Sequence, residues 1–271
     1  MSAWINGRKG TRIDYRDRGL QYGDGVFETM RIHLGRIRLL EFHLERLYAG
    51  CRRLKIEGPS RRTLMRELER TAKRRREGVL KLIVTRGVSR RGYRPTGNER
   101  STRVLALHAL PGTRLAMPPA RIRICATPLG QNPSLAGLKT LNRLESVVAR
   151  AEWRDARIWE GLMRDVDENI VCGTMSNLFL RRGSILMTPV LDRCGVAGVM
   201  RRWVLQTAGE LRLKAIERRV RWRDLREAEE VFMSNAVVGL RSVAVIERDQ
   251  ERLRYSVFET ANRLRQRLDL L

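Results

Sequence analysis

A stretch with no repeating pattern of apolar residues, at positions 111–118, divides the chain into two parts. Pro111-Gly112 opens this stretch and Pro118-Pro119 ends it, and both dipeptides are typical of turns and loops. Each flanking part is long enough to bury a core of its own. We therefore predict a small domain over residues 1–110, an interdomain linker over 111–118 and a larger domain over 119–271.

Strands and helices alternate on both sides of this linker. Runs rich in β-branched residues, such as 79–84, alternate with segments whose apolar residues recur at steps of three and four, such as 40–54. This alternation indicates an α/β fold. The predicted elements are hairpins about 6–7 and 34–35, helices over 40–54 and 60–72, strands over 79–84, 103–110, 121–126, 160–165, 177–181, 184–188 and 231–236, and helices that follow residues 139, 195 and 257.

The segment 135–145 places a single lysine, Lys139, among apolar and small residues just before a predicted helix. Burying an unpaired ammonium is costly and lowers its pKa, and a neutral lysine amine is the nucleophile of Schiff-base chemistry. A lysine whose stem is buried while its amine reaches water gives the same pattern. On spacing alone this second interpretation is the stronger one.

A second segment of interest, residues 195–200, contains two glycines and opens another predicted helix. The backbone N–H groups of a helix start and the positive end of its dipole favour a phosphate group. An ordinary turn between a loop and a helix has the same pattern, so the segment alone does not separate the two interpretations.

The charge of the chain is strongly positive, with 55 Lys and Arg residues against 30 Asp and Glu, a formal net charge of +25. Almost all of the basic residues are arginines, they occur in every segment, and no nucleic-acid-binding module accompanies them. The pattern argues against dedicated nucleic-acid binding. We expect instead an attraction for small anionic molecules.

Several classes of protein are excluded by what the sequence lacks. There is no apolar run of about eighteen residues that could span a membrane and no apolar core of a signal peptide. The three histidines lack ligand spacing, so no metal is expected, and the four cysteines show no CxxC pair. The sequence therefore predicts a soluble, cytoplasmic protein with free thiols.

Taken in order, seven groups of residues resemble the fold-type IV pyridoxal-phosphate enzymes, and among them the aminodeoxychorismate lyases. The resemblance covers nearly the whole chain and implies a two-domain fold, with a small α/β domain and a larger pseudo-barrel domain. It also reverses the interpretation of Lys139 in favour of the reactive amine. The matching groups are residues 21–27, 43–47, 85–87 with 91–93, 135–145, 173–179, 195–201 and 234–236.

The resemblance implies roles in binding pyridoxal 5'-phosphate. Lys139 would bond covalently to the cofactor, and Arg46 would bind its phosphate group through a fork of N–H donors. The backbone at Val196 and Ala197 and the side chain of Ser234 would supply the remaining phosphate donors. The alternative for Arg46 is a surface cation.

The resemblance also implies that Phe27, Arg91 and Tyr93 face the substrate. Relatives use the positions of Arg91 and Tyr93 for a substrate carboxylate. The loop that carries them is rich in arginine, so a solvated, purely basic loop is the alternative.

One position departs from the family pattern. Relatives place a glutamate before the 173–177 run, where its carboxylate pairs with the pyridine nitrogen of the cofactor, and Cys172 stands there in this chain. A carboxylate keeps that nitrogen protonated, whereas a thiol offers a weak hydrogen bond, so the ring becomes a weaker electron sink. Asp167 or Glu168 would replace the carboxylate if the local hairpin register differed. The thiol favours a lyase over an aminotransferase, and an impaired enzyme is the alternative.

The resemblance thus implies a lyase that converts 4-amino-4-deoxychorismate to 4-aminobenzoate and pyruvate for folate biosynthesis. It further implies a cytoplasmic homodimer with active sites near the subunit interface. An aminotransferase for D-amino or branched-chain acids is the alternative within the same fold. A basic nucleic-acid-binding protein that has lost catalysis is a further alternative.

Overall fold

The structure, a computed structural model, describes residues 2–110 and 117–270. Most of the predicted linker at 111–118, and the last residue of the predicted final helix, therefore lie outside the described residues. The chain forms two compact units, the first comprising Met1–Gly112 and Leu138–Asn142, the second Thr113–Gly137 and Arg143–Leu271. Residues 138–142, which include Lys139, thus belong to the first unit, although they lie far beyond the predicted domain boundary in the sequence.

The first unit contains a six-stranded sheet in the order β2-β1-β6-β5-β3-β4, in which each pair of neighbours is antiparallel. Both predicted hairpins are present: Asn6 and Gly7 have φ values of 50° and 84°, as a two-residue turn requires. The elements of this unit are β1 (Ser2–Ile5), β2 (Arg8–Lys9), α1 (Arg18–Tyr22), β3 (Gly25–His33), β4 (Arg36–Ile37), α2 (Leu40–Arg53), α3 (Arg61–Ala72), β5 (Glu77–Thr85) and β6 (Thr102–His108).

The core of the first unit lies between this sheet and the two long helices. Leu44 and Leu47 of α2 and Leu64 and Leu68 of α3 are almost fully buried and pack in one cluster with the buried side chains of β3 and β5. Their spacing of three and four residues places them on one face of each helix. The predicted start of α3 is confirmed, because the Ser60 side chain accepts a hydrogen bond from the Thr63 N–H.

The second unit contains a nine-stranded sheet in the order β12-β11-β10-β13-β14-β7-β8-β9, with β15 paired to β14. The sheet curls, because β9 at one end of this order also contacts β10. Its elements are β7 (Ala120–Ile124), α4 (Leu144–Arg150), β8 (Ile158–Arg164), β9 (Ile170–Gly173), β10 (Asn177–Arg182), β11 (Ile185–Pro189), α5 (Val199–Thr207), a 3-10 helix (Ala208–Leu211), β12 (Lys214–Arg218), α6 (Trp222–Glu227), β13 (Glu230–Asn235), β14 (Gly239–Arg248), β15 (Glu251–Arg254) and α7 (Glu259–Leu268).

The helix after Lys139 differs from the sequence-based expectation. It begins only at Leu144, and its apolar residues Leu144, Val147 and Val148 are 78%, 61% and 55% exposed. Their helical spacing therefore does not mark a face buried in this unit. Lys139 itself lies in an extended segment, not at a helix start.

Two further properties concern the structure as a whole. None of the helices in the described ranges combines the length and the apolar character that crossing a membrane requires. Within the same ranges, no group of three or more His, Cys, Asp or Glu side chains is arranged to hold a metal ion.

Candidate active site

Lys139 lies in an extended segment that runs beside the first residues of β3. Its carbonyl accepts a hydrogen bond from the Phe27 N–H at 2.9 Å, and the Leu141 N–H donates to the Gly25 carbonyl at 3.1 Å. Gly25 allows this close approach, because a Cβ atom there would lie 2.9 Å from the Leu141 Cδ1 atom. The backbone from Lys139 to Leu141 is therefore held against the sheet of the first unit.

The half-buried Lys139 side chain places its amine over an aromatic ring. The Lys139 Nζ lies 4.2 Å from the centroid of Phe27, and the Nζ of Lys81 on β5 lies 5.2 Å from the same centroid. The structure thus brings together Lys139 and Phe27, two of the residues singled out in the sequence. Lys81 is a second amine at this ring, and a lysine within the apolar run 79–84 is the sequence signal for it.

Arg46, on α2, faces a buried carboxylate. Its Nε and Nη2 groups donate to the two oxygens of Glu28 at 2.8 and 2.5 Å, and the Nδ1 atom of His43 lies 2.6 Å from Glu28 Oε2. The side chains of Glu28 and His43 are each 1% exposed, and that of Arg46 is 13% exposed. Arg46 is therefore not a surface cation, and Glu28 is a partner that sequence patterns did not single out.

Burial and charge pairing together set the protonation of this cluster. Burial acts to raise the pKa of Glu28, but the charge of Arg46 and the hydrogen bond with His43 outweigh it and lower that pKa to about 2. Burial lowers the pKa of His43, although Glu28 opposes the change. His43 is therefore neutral near pH 7, and its Nδ1–H donates to Glu28, because an ionised carboxylate can only accept. Glu28 balances the charge of Arg46 and fixes the plane of its guanidinium group.

Arg91 and Tyr93 lie on an irregular loop, residues 88–99, that follows β5. Arg91 is exposed, and Tyr93 is 84% exposed. The Tyr93 ring lies 5.4 Å from the ring of Tyr22, the last residue of α1. The structure places both side chains where a ligand could reach them, and their contact with substrate stays a prediction.

Cys172 lies on β9, opposite Met163 of β8. Its thiol is buried, and burial raises its pKa to about 12, with the neighbouring Cys194 acting in the same direction. The group is therefore a neutral thiol across the physiological pH range.

Neither Asp167 nor Glu168 takes the place of the carboxylate that Cys172 lacks. Both lie in the turn between β8 and β9, with side chains 50% and 60% exposed, and they pair with Arg193 and Arg164. The observed hairpin register excludes the alternative in which one of them replaces the family's glutamate.

A buried carboxylate that sequence reasoning missed, Glu160, orders the segment 173–176. It accepts hydrogen bonds from the Thr174 N–H at 3.1 Å and from the hydroxyls of Thr174 and Ser176, each at 2.6 Å. Gly173 allows this arrangement, because a Cβ atom there would lie 2.7 Å from Glu160 Oε2. A glutamate within an apolar strand was the available signal, since buried charges need partners.

The loop before α5 corrects one predicted phosphate contact. The Ala197 N–H donates to the Gly137 carbonyl at 3.0 Å, and the Val196 carbonyl accepts from the Asn177 side chain at 2.9 Å. The Ala197 amide is thus engaged within the protein and is not a phosphate donor in this structure. The first backbone N–H groups of a helix have no acceptor within that helix. In α5 these are the amides of Val199 and Met200, and no side chain caps them.

Ser234, on β13, pairs with Asn177 of β10 in the sheet of the second unit. It is 1% exposed, and its hydroxyl has no hydrogen-bond partner among the described residues. A buried, unsatisfied hydroxyl costs about 1–3 kcal/mol. It therefore marks a place where a ligand atom is expected.

Comparisons with known proteins show the family to which the chain belongs. Residues 25–246 match the model of the family described as amino-transferase class IV. The chain belongs to this family. The α/β fold and the kinship with fold-type IV enzymes expected from the sequence are confirmed.

Two lyases and one aminotransferase illustrate the similarity to this class IV family member. The aminodeoxychorismate lyase of Vibrio harveyi is 32% identical over 269 residues, which are 98% of this chain and 99% of the relative. The crystal structure of 4-amino-4-deoxychorismate lyase from Pseudomonas aeruginosa has a TM-score of 0.91 and 42% identity, and the match covers 98% of this chain and 97% of that one. A branched-chain aminotransferase from Escherichia coli, 20% identical, shares the fold with a TM-score of 0.86 over 100% of this chain and 93% of its own.

The residues of this class IV family member fit the cofactor that the resemblance implies. Lys139 is an amine held by its backbone, and Arg46 is a guanidinium group held by a carboxylate. The unsatisfied Ser234 hydroxyl and the uncapped start of α5 are donors of the kind that a phosphate group requires. At Cys172, the position where the sequence departs from the family pattern, the structure has a buried free thiol.

Proposed function

We propose that the protein is a pyridoxal-phosphate-dependent lyase that converts 4-amino-4-deoxychorismate to 4-aminobenzoate and pyruvate in folate biosynthesis. The similarity to the two lyases, which extends over 98% of the chain in each case, supports the substrate. The observation that carries the reaction type is the neutral, buried thiol of Cys172. A transaminase depends on a strongly electron-withdrawing cofactor ring, which a thiol sustains less well than a carboxylate.

Lys139 performs the proton transfer in this proposal. Bound pyridoxal phosphate supplies an aldehyde that bonds to amines and a ring that withdraws electrons. The freed Nζ of Lys139 would act as the general base that takes the proton from the substrate ring carbon bearing the amine. The electrons of that C–H bond would complete the aromatic substrate ring as the neighbouring carbon–oxygen bond breaks, and the proton held by Lys139 would pass to the departing oxygen, so that pyruvate leaves as its enol. Aromatisation drives the reaction, so a neutral Cys172 is sufficient.

Other residues bind and orient. We assign the phosphate group to Arg46, Ser234 and the first amides of α5, because charge-assisted hydrogen bonds from a preorganised guanidinium and from a helix start are strong. We assign the substrate carboxylates to Arg91 and Tyr93, supported by their exposure on one loop. The net charge of +25 favours the approach of a dianionic substrate.

The setting of the enzyme is part of the same proposal. We expect it in the cytoplasm, where a reducing environment suits its four cysteines, which are all free thiols. We also expect a homodimer with active sites near the subunit interface. Sedimentation of the purified protein tests the dimer.

The deciding experiment is an assay of purified protein, loaded with pyridoxal phosphate, on 4-amino-4-deoxychorismate. Formation of 4-aminobenzoate and pyruvate in equal amounts is the expected result. Transfer of an amino group from glutamate to a keto acid, without 4-aminobenzoate, would instead identify an aminotransferase. Protein that takes up no cofactor and binds RNA tightly in low salt would favour the basic binding protein.

A pair of lysine variants tests the assignment of the amine. Lys139→Ala should abolish the visible absorption of the lysine-bound cofactor. Lys81→Ala is the matched control, because Lys81 lies over the same Phe27 ring and should leave that absorption in place. Absorption that survives in Lys139→Ala would show that another amine holds the cofactor.

A further inference from the structure

Arg18, on α1, is a buried arginine whose three guanidinium nitrogens each donate a hydrogen bond within the protein. It is 3% exposed, and its Nε donates to Asp24 Oδ2 at 2.8 Å. Its Nη1 and Nη2 donate to the backbone carbonyls of Gly92 and Tyr93 at 2.9 and 2.8 Å, and its Cζ lies 4.8 Å from the centroid of Tyr22. One side chain therefore binds two successive backbone carbonyls of the loop that contains Arg91 and Tyr93.

The bonded carbonyls belong to the loop 88–99, which has no regular secondary structure. Its base is tied by the Glu99 side chain, which accepts hydrogen bonds from Ser89, Thr96 and Gly97. Its tip, residues 91–98, is exposed throughout. The tip is bound to α1 by Arg18, together with a long hydrogen bond of 3.3 Å from the Gly92 N–H to the Tyr22 hydroxyl.

This contact can be removed without leaving a buried charge. Asp24 also accepts hydrogen bonds from Arg86, through Nε at 2.7 Å and Nη2 at 3.1 Å. The carbonyls of Gly92 and Tyr93 belong to exposed residues, so water replaces the guanidinium group at little cost. Loss of the Arg18 guanidinium therefore releases the loop tip and leaves the sheet and helices of the first unit intact.

We infer that Arg18 is a positioning residue for substrate binding, which holds the loop tip so that Arg91 and Tyr93 are presented in one fixed arrangement. The inference rests on the proposed function, in which these two side chains bind the substrate carboxylates. A flexible loop would lose conformational entropy each time substrate binds, which weakens binding, whereas a loop that is already fixed loses little. Arg18 acts through the loop and needs no contact with substrate.

The kinetic test compares Arg18→Met with Arg16→Met. Methionine keeps an apolar stem beneath Tyr22 and removes the guanidinium group. Arg16 is the control, because its side chain is 55% exposed and pairs only with the nearby Asp14 among the described residues. Arg18→Met should raise KM for 4-amino-4-deoxychorismate about tenfold or more, which is the change in affinity expected when one charge-assisted hydrogen bond is lost. The kcat should change less than about twofold. Arg16→Met should match the wild type.

A second readout follows the loop directly. Trypsin cleavage after Arg90 and Arg91 under native conditions should be faster in Arg18→Met than in the wild type or Arg16→Met, because cleavage requires a released tip. Arg18→Lys keeps the charge but cannot form the same fork, so it should be intermediate in both KM and cleavage. If Arg18→Met does not fold, Arg18→Lys alone decides, and wild-type values in that variant overturn the inference.

A third comparison separates positioning from general stability. In a variant that already carries Arg91→Ala and Tyr93→Ala, adding Arg18→Met should raise KM no further, because the side chains that Arg18 positions are gone. A further rise in KM, an unchanged KM in Arg18→Met, or a fall in kcat that follows a fall in melting temperature would each overturn the inference. If Arg91→Ala/Tyr93→Ala leaves KM unchanged, the assigned role of the loop fails and the inference fails with it. If the wild type forms no 4-aminobenzoate, the proposed function is wrong. Unchanged trypsin cleavage in Arg18→Met would independently refute the contact between Arg18 and the loop.

Discussion

Glu28→Gln is expected to destabilise the protein in a manner that depends on pH. Glu28 accepts two hydrogen bonds from Arg46 and one from His43, and its side chain is 1% exposed. Glutamine keeps the size of the side chain and removes its charge. Arg46, which is 13% exposed, then loses its counter-charge in a largely buried position, the situation in which a broken ion pair is most costly.

The magnitude follows from the pKa of the carboxyl group. Its ordinary pKa is 4.5, and in the folded protein it is about 2, a difference that corresponds to about 3 kcal/mol of stability at pH 7. Because the pKa is lower in the folded than in the unfolded chain, this stabilisation is complete above pH 4.5 and is lost as the pH falls towards 2. About half of it should remain at pH 3.

The assay is the free energy of unfolding in urea for the wild type and Glu28→Gln, measured at pH 7 and at pH 3. The difference between them should be about 3 kcal/mol at pH 7 and should shrink to about half at pH 3. Glu77→Gln is the matched control, because Glu77 also pairs with an arginine and a histidine but is 36% exposed, so its effect should stay below about 1 kcal/mol. A difference below about 1 kcal/mol for Glu28→Gln at pH 7, or one that is equal at both pH values, would refute the reasoning.

Three further substitutions test buried residues of the second unit. Ser234→Ala should leave the cofactor-free protein as stable as the wild type or slightly more stable. It should weaken pyridoxal phosphate binding about tenfold or more, measured by equilibrium dialysis. An affinity equal to that of the wild type would show that Ser234 does not bind the phosphate group. Cys172→Glu should raise amino-group transfer to a keto acid as a side reaction, because a carboxylate strengthens the electron sink, and an unchanged rate would count against the place of Cys172 beside the ring. Glu160→Gln should lower the melting temperature and weaken cofactor binding, because it disturbs the segment 173–176, and a variant with wild-type values in both measurements would contradict that role.

Much of the fold follows from local patterns. The spacing of apolar residues predicts α2 and α3 to within a few residues, and the β-branched run 79–84 predicts β5. Other strands carry no such signal. β12 and β15 consist mostly of lysine, arginine and glutamate, so their pairing in the sheet, not their composition, makes them strands.

The candidate residues divide in the same way. The order of short motifs along the chain was enough to select Lys139, Arg46 and Ser234, because each stands in a recognisable local context. It also selected Ala197, whose amide is in fact bonded to the Gly137 carbonyl. Whether a backbone donor is available depends on a partner some sixty residues away in the sequence, which no local pattern records.

Composition and periodicity predicted an α/β protein, since this property depends on residues close together in the chain, whereas the reactive role of Lys139 was predicted only from the family resemblance. Tertiary structure alone decided that Leu138–Asn142 packs with the first unit and that Glu28 balances Arg46. It also showed that Asp167 and Glu168 are surface residues while Cys172 is a buried thiol. The physical reason is that the partner of a charge, the space around a glycine and the burial of a thiol are set by strand register and packing, which bring together residues that are distant in the sequence.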